Sequence, residues 1–429
     1  MIENKIRLNS NLLLYFGVIV SGFGPYVIMD LGLRSEHLFI YSILPISIIY
    51  FLFQGDQIRF NKTLSFILFL LLFVTIETLI VTYIGTRNYF SFSKSIAYFE
   101  NYFQPIAIII ILSVFANYFP KNKMILILKK IIHIFLILLV LNSLLIILSI
   151  FFGTLPIIDF FVANTNKGLS VSEMAAQSGR FSGIFDQPSE AGLSYSLGIL
   201  LWLYLFSNKK KIKSYDFFLL LMLFIGGIGT ISKIFLIGGS VLFLMYLIYL
   251  KGISKFFSFR AIFLGGLISL LLYQFLQFFW IDGLEFLLRL FFLSPDTDLV
   301  YLYSAGRFGG SPTYLKNIID EIWRISPIYG EGFAYELILD NAYAEFFVQG
   351  GIIGLAGYIL ILVSILKTCI WSYRYNKRES ILLLFILLLI IGGGLGTPVL
   401  TVNRFSTFCW VFIFMIFQIL ENRVYKYEY

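Results

Sequence analysis

Apolar residues in this chain neither alternate nor keep to one helical face. They run on, unbroken, for stretches close to the ~20 residues that a helix needs to cross a bilayer. Twelve such stretches are readable, at 10–29, 37–53, 64–84, 96–118, 131–153, 188–206, 216–230, 234–250, 261–281, 343–366, 381–395 and 405–420. The pattern predicts an all-α, polytopic membrane protein. Two stretches, 216–230 and 381–395, are short and glycine-rich at one end. They are read as candidates for broken or re-entrant helices, which survive in a membrane only where protein covers the backbone. One region has a different period. Beyond Ser311 and Pro312, a cap and a first-turn residue, Leu315, Ile318, Ile319, Ile322 and Trp323 share one face. Lys316, Asp320, Glu321 and Arg324 take the other, which predicts an amphipathic helix over about 312–326 lying along the membrane surface.

Composition agrees with the pattern. The chain is 59% hydrophobic and 13% charged, about half the charge of a soluble domain. No stretch reads as a separate soluble domain, so 1–429 is taken as one integral membrane domain. The first apolar run follows Lys5 and Arg7 and is long, so it reads as a retained helix rather than a cleaved signal.

Basic residues fix the expected orientation. With the N-terminus in the cytoplasm, 21 of the 32 Lys and Arg residues fall inside and 11 outside. Both termini are then cytoplasmic, and loops 154–187 and 282–342 face outward. The net charge of +8 is explained by cytoplasmic clusters against anionic lipid, and nucleic acid is not needed as a partner. Cys369 and Cys409 fall toward opposite faces, and His37 and His133 are far apart in sequence. Neither pair suggests a metal site, and no cofactor is expected.

The polar segment Gly179–Gly192 leads straight into an apolar run. Pro188 suits a first helical turn, with Asp186 or Gln187 at the N-cap and Glu190 just inside. Arg180 precedes this helix, and Lys233 sits in the tight turn Thr230-Ile231-Ser232-Lys233. Arg307 lies in the long loop, and Arg404 at the outer end of the last run. Each cation alone reads as a snorkelling side chain or a lipid-phosphate contact. Four of them from four outer segments fit a pyrophosphate, which arginine grips through paired N–H groups.

Four short patterns carry a family resemblance. They are Arg180-Phe181-Ser182-Gly183 with Pro188-Ser189-Glu190-Ala191; Thr230-Ile231-Ser232-Lys233; Gly306-Arg307 with Trp323, Pro327 and Gly330-Glu331-Gly332; and Asp340-Asn341-Ala342-Tyr343 with Gly350-Gly351-Ile352-Ile353-Gly354. In order and spacing, over about 170–420, the chain resembles the O-antigen polymerase and O-antigen ligase superfamily. Lys233 departs from the Ser-Arg often found there. Asp340 stands where the ligases carry histidine, which tilts the resemblance toward the polymerases.

The resemblance implies a fold of the membrane glycosyltransferase type that uses lipid-linked donors, in a bacterial cytoplasmic (inner) membrane with the active site outward. It implies transfer of a growing glycan from undecaprenyl pyrophosphate onto a new lipid-linked repeat unit, with a chain-length regulator protein as a possible partner. The residue chemistry runs parallel. Arg180, Lys233, Arg307 and Arg404 are candidates to stabilise the departing pyrophosphate without a metal. Glu190 and Asp340 are candidates for the base that takes the acceptor hydroxyl's proton, or else they cap their helices. A ligase moving finished glycan to a lipid core is the nearest alternative. A transporter of the same lipid-linked sugar is the more distant one, since no inverted repeat is readable.

Overall fold

The computed structural model describes residues 2–28, 33–54, 61–84, 92–118, 123–162, 170–207, 209, 213–251, 274, 280, 282–283, 314–334 and 339–424. The chain forms two compact units: Met1–Ile134 with Ser304–Tyr429, and Phe135–Tyr303. The predicted run 261–281, Gly306 and Arg307 lie almost wholly or wholly outside the described residues.

Apart from one short β pair, the described elements are helical. In order they are α1 (Ile2–Phe23), α2 (Ser35–Gln54), α3 (Lys62–Ile84), α4 (Phe92–Tyr118), α5 (Met124–Phe152), α6 (Val171–Gln177), α7 (Pro188–Phe206), α8 (Ser214–Gly229), α9 (Ser240–Lys251), α10 (Tyr314–Ile325), α11 (Ala342–Ser372), α12 (Lys377–Gly393) and α13 (Asn403–Val424). Strands β1 (Tyr26–Ile28) and β2 (Leu33–Arg34) pair antiparallel between α1 and α2. Among the described residues, five stretches are long and apolar enough to cross a membrane: Lys62–Ile84, Tyr98–Asn117, Met124–Phe152, Pro188–Phe206 and Ala342–Ser372. Shorter apolar helices cover Leu12–Phe23, Ser35–Tyr50, Ser214–Gly229, Ile234–Leu250 and Arg404–Leu420. The chain is a membrane-embedded helical protein. Exposed Phe66, Phe69, Phe73, Ile76 and Ile80 on α3 form an apolar outer face of the kind lipid covers.

In the first unit, α3 packs along α11, α2 and α13 pack on α4, and α12 packs on α11 and α13. The two short glycine-ended runs each form a continuous helix, α8 and α12. The helix that breaks is α11, at Gly351, with φ +57° and ψ −153°. A break inside an apolar helix frees backbone groups that the membrane cannot satisfy. Here the segment after α10 satisfies them. Glu331 N–H donates to Val348 O at 2.8 Å, Ile352 N–H to Pro327 O at 2.9 Å, and Ile353 N–H to Ile328 O at 3.3 Å. The backbones come so close that a Cβ at Gly330 or Gly351 would strike the opposite main chain, and both glycines have positive φ. So Gly330-Glu331-Gly332 and Gly350-Gly351, two separate sequence patterns, form one backbone splice.

The amphipathic segment forms α10 with Leu315, Ile318 and Ile322 buried, packed with Phe347 and Val348 of α11. Trp323 is 60% exposed, although its ring stacks on Phe347 at 6.0 Å.

In the second unit, the later part of α5 and helices α8 and α9 surround α7, which is almost wholly buried. Gly198 and Gly229 let Leu139 and Ile146 of α5 close in. Six residues, Ile234–Gly239, wind as a π-helix into α9.

Candidate functional site

The second unit assembles the turns that carry Arg180, Glu190 and Lys233. Helix α6 opens with a reciprocal cap: Ser170 Oγ accepts from Glu173 N–H, and Glu173 Oε2 accepts from Ser170 N–H. It closes through Gly179 at φ +73°, with Arg180 N–H donating to Ala175 O at 2.9 Å. Next, Phe181 N–H donates to Gly229 O at 3.0 Å, which ties the segment to the end of α8.

Asn142 of α5 holds the rest of the loop. Its Oδ1 accepts from Ile184 N–H at 2.8 Å, and its Nδ2 donates to Ser182 O at 3.3 Å and to Tyr195 Oη at 3.0 Å. Gly183 has φ +63°, and a Cβ there would collide with the Asn142 amide. One buried amide therefore sets the path of the loop and its distance from α7.

Gln187 is the N-cap of α7, in extended conformation and without a side-chain cap, and Pro188 follows at the first helical position. The capping-box reading of Glu190 is not what the helix start shows, since the N-cap side chain makes no such bond. Glu190 is completely buried in the first turn. Gly192, two residues on, packs directly against the Ser232 side chain.

That contact brings in the third turn. Thr230 Oγ1 donates to Gly227 O at 2.7 Å and accepts from Ser232 N–H at 3.2 Å. Between them Ile231 has φ +42°, a left-handed conformation that a β-branched side chain resists, at a cost of about 1–3 kcal/mol. Strain of this kind collects at functional turns. Thus Arg180 lies one residue from the Phe181–Gly229 bond, Lys233 one residue from the Ser232–Gly192 contact, and Glu190 on the turn between. Burial lowers the Arg180 guanidinium from its ordinary pKa, and an arginine remains charged at neutral pH all the same.

The other candidates lie elsewhere. Arg307 is outside the described residues. Asp340 and Arg404 belong to the first unit. The cap of α11 is Asn341 rather than Asp340: its Oδ1 accepts from Ala344 N–H at 3.0 Å, and its Nδ2 donates to Leu395 O at 3.2 Å. The N-cap reading of Asp340 is thus off by one residue; Asp340 is half-buried beside the cap. Arg404 is not at the surface. It is fully buried, with Nη2 donating to Gly24 O at 2.9 Å and Nη1 to Gly22 O at 3.4 Å, so it clasps the chain as it leaves α1.

Around that clasp lies a network that the sequence reading missed. Arg34 Nη1 pairs with Glu36 Oε1 at 3.2 Å. His37 Nε2 lies 3.2 Å from Glu100 Oε1, which also accepts from Tyr41 Oη at 3.0 Å. His37 Nδ1 lies 3.4 Å from the Arg34 backbone N–H, and Nε2 lies 3.4 Å from Arg34 Nη2 as well as beside Glu100. The available signal was ionisable residues inside or at the edge of apolar runs, here Glu77, Glu100 and Glu345 as well as His37. Among the described residues, no group of three or more His, Cys, Asp or Glu side chains is placed to hold a metal.

No family model matches the chain, and no curated protein matches it.

Proposed function

We propose that this protein is a membrane glycosyltransferase that polymerises lipid-linked oligosaccharide repeat units. The reaction joins the anomeric carbon of the growing glycan to an acceptor hydroxyl and releases undecaprenyl pyrophosphate. In this reading the chain crosses a bacterial cytoplasmic membrane twelve times with both termini inside, and adopts the lipid-linked-donor glycosyltransferase fold. The site faces outward. Arg180 and Lys233 meet the leaving pyrophosphate. Glu190 takes the acceptor's proton. Arg404, already spent on two backbone carbonyls, serves by holding the first unit together.

The observation that supports this best is the meeting of the Arg180 loop and the distant Thr230–Lys233 turn at the start of α7, each bringing a cation to a helix start that carries the buried Glu190 carboxylate. Fixed cations and a helix N-terminus favour negative charge at a leaving group, and a carboxylate is a competent base at neutral pH. The test is direct. Purified protein incubated with undecaprenyl-pyrophosphate repeat units should yield a ladder of longer glycans. Folded protein that yields none, with donor and acceptor both present, would overturn the reading.

One observation favours a second reading, a transporter for the same lipid-linked sugar. Arg34 and Arg404 are buried inside a helical unit, where transporters keep charges. Both, however, sit at helix or strand ends rather than mid-helix, and Arg404 is bonded to backbone. Proteoliposomes that move a fluorescent lipid-linked sugar between leaflets without extending it would establish this alternative.

A further inference from the structure

The chain has five tryptophans, and their indole N–H groups are not treated alike. Trp323 and Trp371 are exposed. Trp202 and Trp410 are buried, and each donates to a main-chain carbonyl, of Asp216 at 2.8 Å and of Leu400 at 3.1 Å. Trp280 is buried as well, only 6% exposed, yet its Nε1–H has no hydrogen-bond partner. A buried indole N–H usually finds an acceptor, and leaving it without one is costly where no water can stand in.

Trp280 lies against the loop that carries Arg180, within the second unit. Its ring is 6.3 Å from the Phe181 ring, tilted by 44°. The indole edge that bears Nε1 rests on Gly283, where a Cβ would strike both Nε1 and Cε2. Gly283 in turn abuts Gly179, where a Cβ would come 2.9 Å from Gly283 Cα. The residues before and after Arg180 are thus both packed on the 280–283 segment, Gly179 on Gly283 and Phe181 on Trp280. A side chain at either glycine would force the indole and the loop apart.

The chemistry limits what this N–H can meet. With the ring buried, no face is left for a sugar to stack on, so only the N–H edge can bind. The indole nitrogen and the Arg180 guanidinium are both donors with no acceptor, so a shared ligand has to present acceptors. A phosphate oxygen does so, and its bonds to such donors are of the stronger, charge-assisted kind. We propose that Trp280 donates its indole N–H to a phosphate oxygen of the ligand that Arg180 meets. Nε1 is shielded from solvent, and the half-buried Phe181 ring is the neighbour that turns aside as the phosphate arrives. The inference rests on the polymerase reading only for the source of that phosphate, a lipid-linked pyrophosphate. The headgroup of a bilayer lipid offers the same chemistry, and the experiment separates the two.

The test uses the full chain at pH 7 in a detergent whose headgroup carries no phosphate, with the indole nitrogens isotopically labelled for NMR. Trp280→Phe identifies the Trp280 signal by removing it. Inorganic pyrophosphate should move that signal downfield, saturably, and leave those of Trp202 and Trp410 in place. Phosphatidylglycerol added instead should move it less. Trp280→Phe should bind pyrophosphate about tenfold more weakly, the worth of one hydrogen bond to a charged group. Benzothienylalanine at the same position keeps the shape of tryptophan and replaces N–H with sulfur. It should weaken binding as much and melt no lower than wild type, which a role in packing alone would not produce. Three results would each overturn the proposal: a Trp280 signal that pyrophosphate leaves unmoved, a signal moved by phosphatidylglycerol alone, or full affinity in the benzothienylalanine protein. Any of these beside a normal glycan ladder would leave the polymerase reading standing, whereas a moved signal in protein that forms no ladder would retire that reading and keep the phosphate contact.

Discussion

The two units hold their functional ends together by opposite means. In the first, charged and polar side chains are buried against one another and against backbone: Arg34 on Glu36, the His37 ring on Glu100, Arg404 on the Gly22 and Gly24 carbonyls. In the second, the turns bearing Arg180, Glu190 and Lys233 are anchored by neutral groups, chiefly the Asn142 amide, with Ser143 and Tyr195 hydroxyls bonded beside it at 3.0 Å. The physical consequence differs. Removing one partner from a buried charge pair strands the other, whereas removing a neutral anchor loses hydrogen bonds and leaves nothing charged behind. An arginine in the first unit should therefore register in folding, and one in the second in chemistry.

The sharpest break would come from Arg404. Arg404→Met should cost about 1–3 kcal/mol for each buried carbonyl left without its donor, and should appear as loss of monodisperse protein on size-exclusion chromatography. If Arg404→Met melts like wild type and fails only in glycan assembly, the contrast between the units collapses. Glu190→Gln comes next. If Glu190 is the base, turnover should fall by on the order of 10²–10⁴-fold while the lipid-linked donor still binds and the melt is unchanged. Near-normal ladders from this variant would leave Glu190 a structural residue of α7.

Arg180→Ala should lower the polymerisation rate about a hundredfold, equivalent to ~3 kcal/mol at the leaving group, with little change in expression. Arg180→Lys should recover only part of this, because the planar fork is lost although the charge is kept. Full activity in Arg180→Lys would point to a lipid-headgroup anchor instead. Asn142→Ala tests the neutral anchor. It should destabilise the second unit by about 1–3 kcal/mol, measured by thermal melting, and loosen the loop over 182–184. A larger collapse would mean that the amide carries more than its three hydrogen bonds. The smallest effect is expected from chelation: EDTA should leave ladder formation unchanged, and loss restored by one divalent metal would displace the cations as the main electrophilic device.

Much of the helical architecture could be read from the chain, because apolar length is a one-dimensional signal. The runs at 64–84, 188–206 and 343–366 correspond to α3, α7 and α11. The interruptions could not be read so well. Glycine marked 216–230 and 381–395 as suspect, yet both stayed helical, while the break fell at Gly351. Glycine permits a break, but whether one occurs depends on whether another segment can satisfy the freed groups. Pro327, Ile328 and Glu331 do so for α11, from about twenty residues upstream. The cap of α11 shows the same limit: Asp340 and Asn341 are both good N-caps by type, and the position of Leu395 helps select Asn341.

Composition and periodicity thus determined that this is a helical membrane protein, where many of its helices lie, and which polar segments carry arginine, lysine and carboxylate. These follow from residue type and local spacing alone. Only the tertiary structure decided what each charge faces. Arg404 and Arg180 look alike in sequence, each flanking an apolar run. One is clasped by the carbonyls of residues some 380 positions away, and the other sits on a loop pinned by Asn142, whose bonds to that loop span about 40. The partner of a charge is set by the packing of distant helices, and a buried charge has to take the partner that packing supplies.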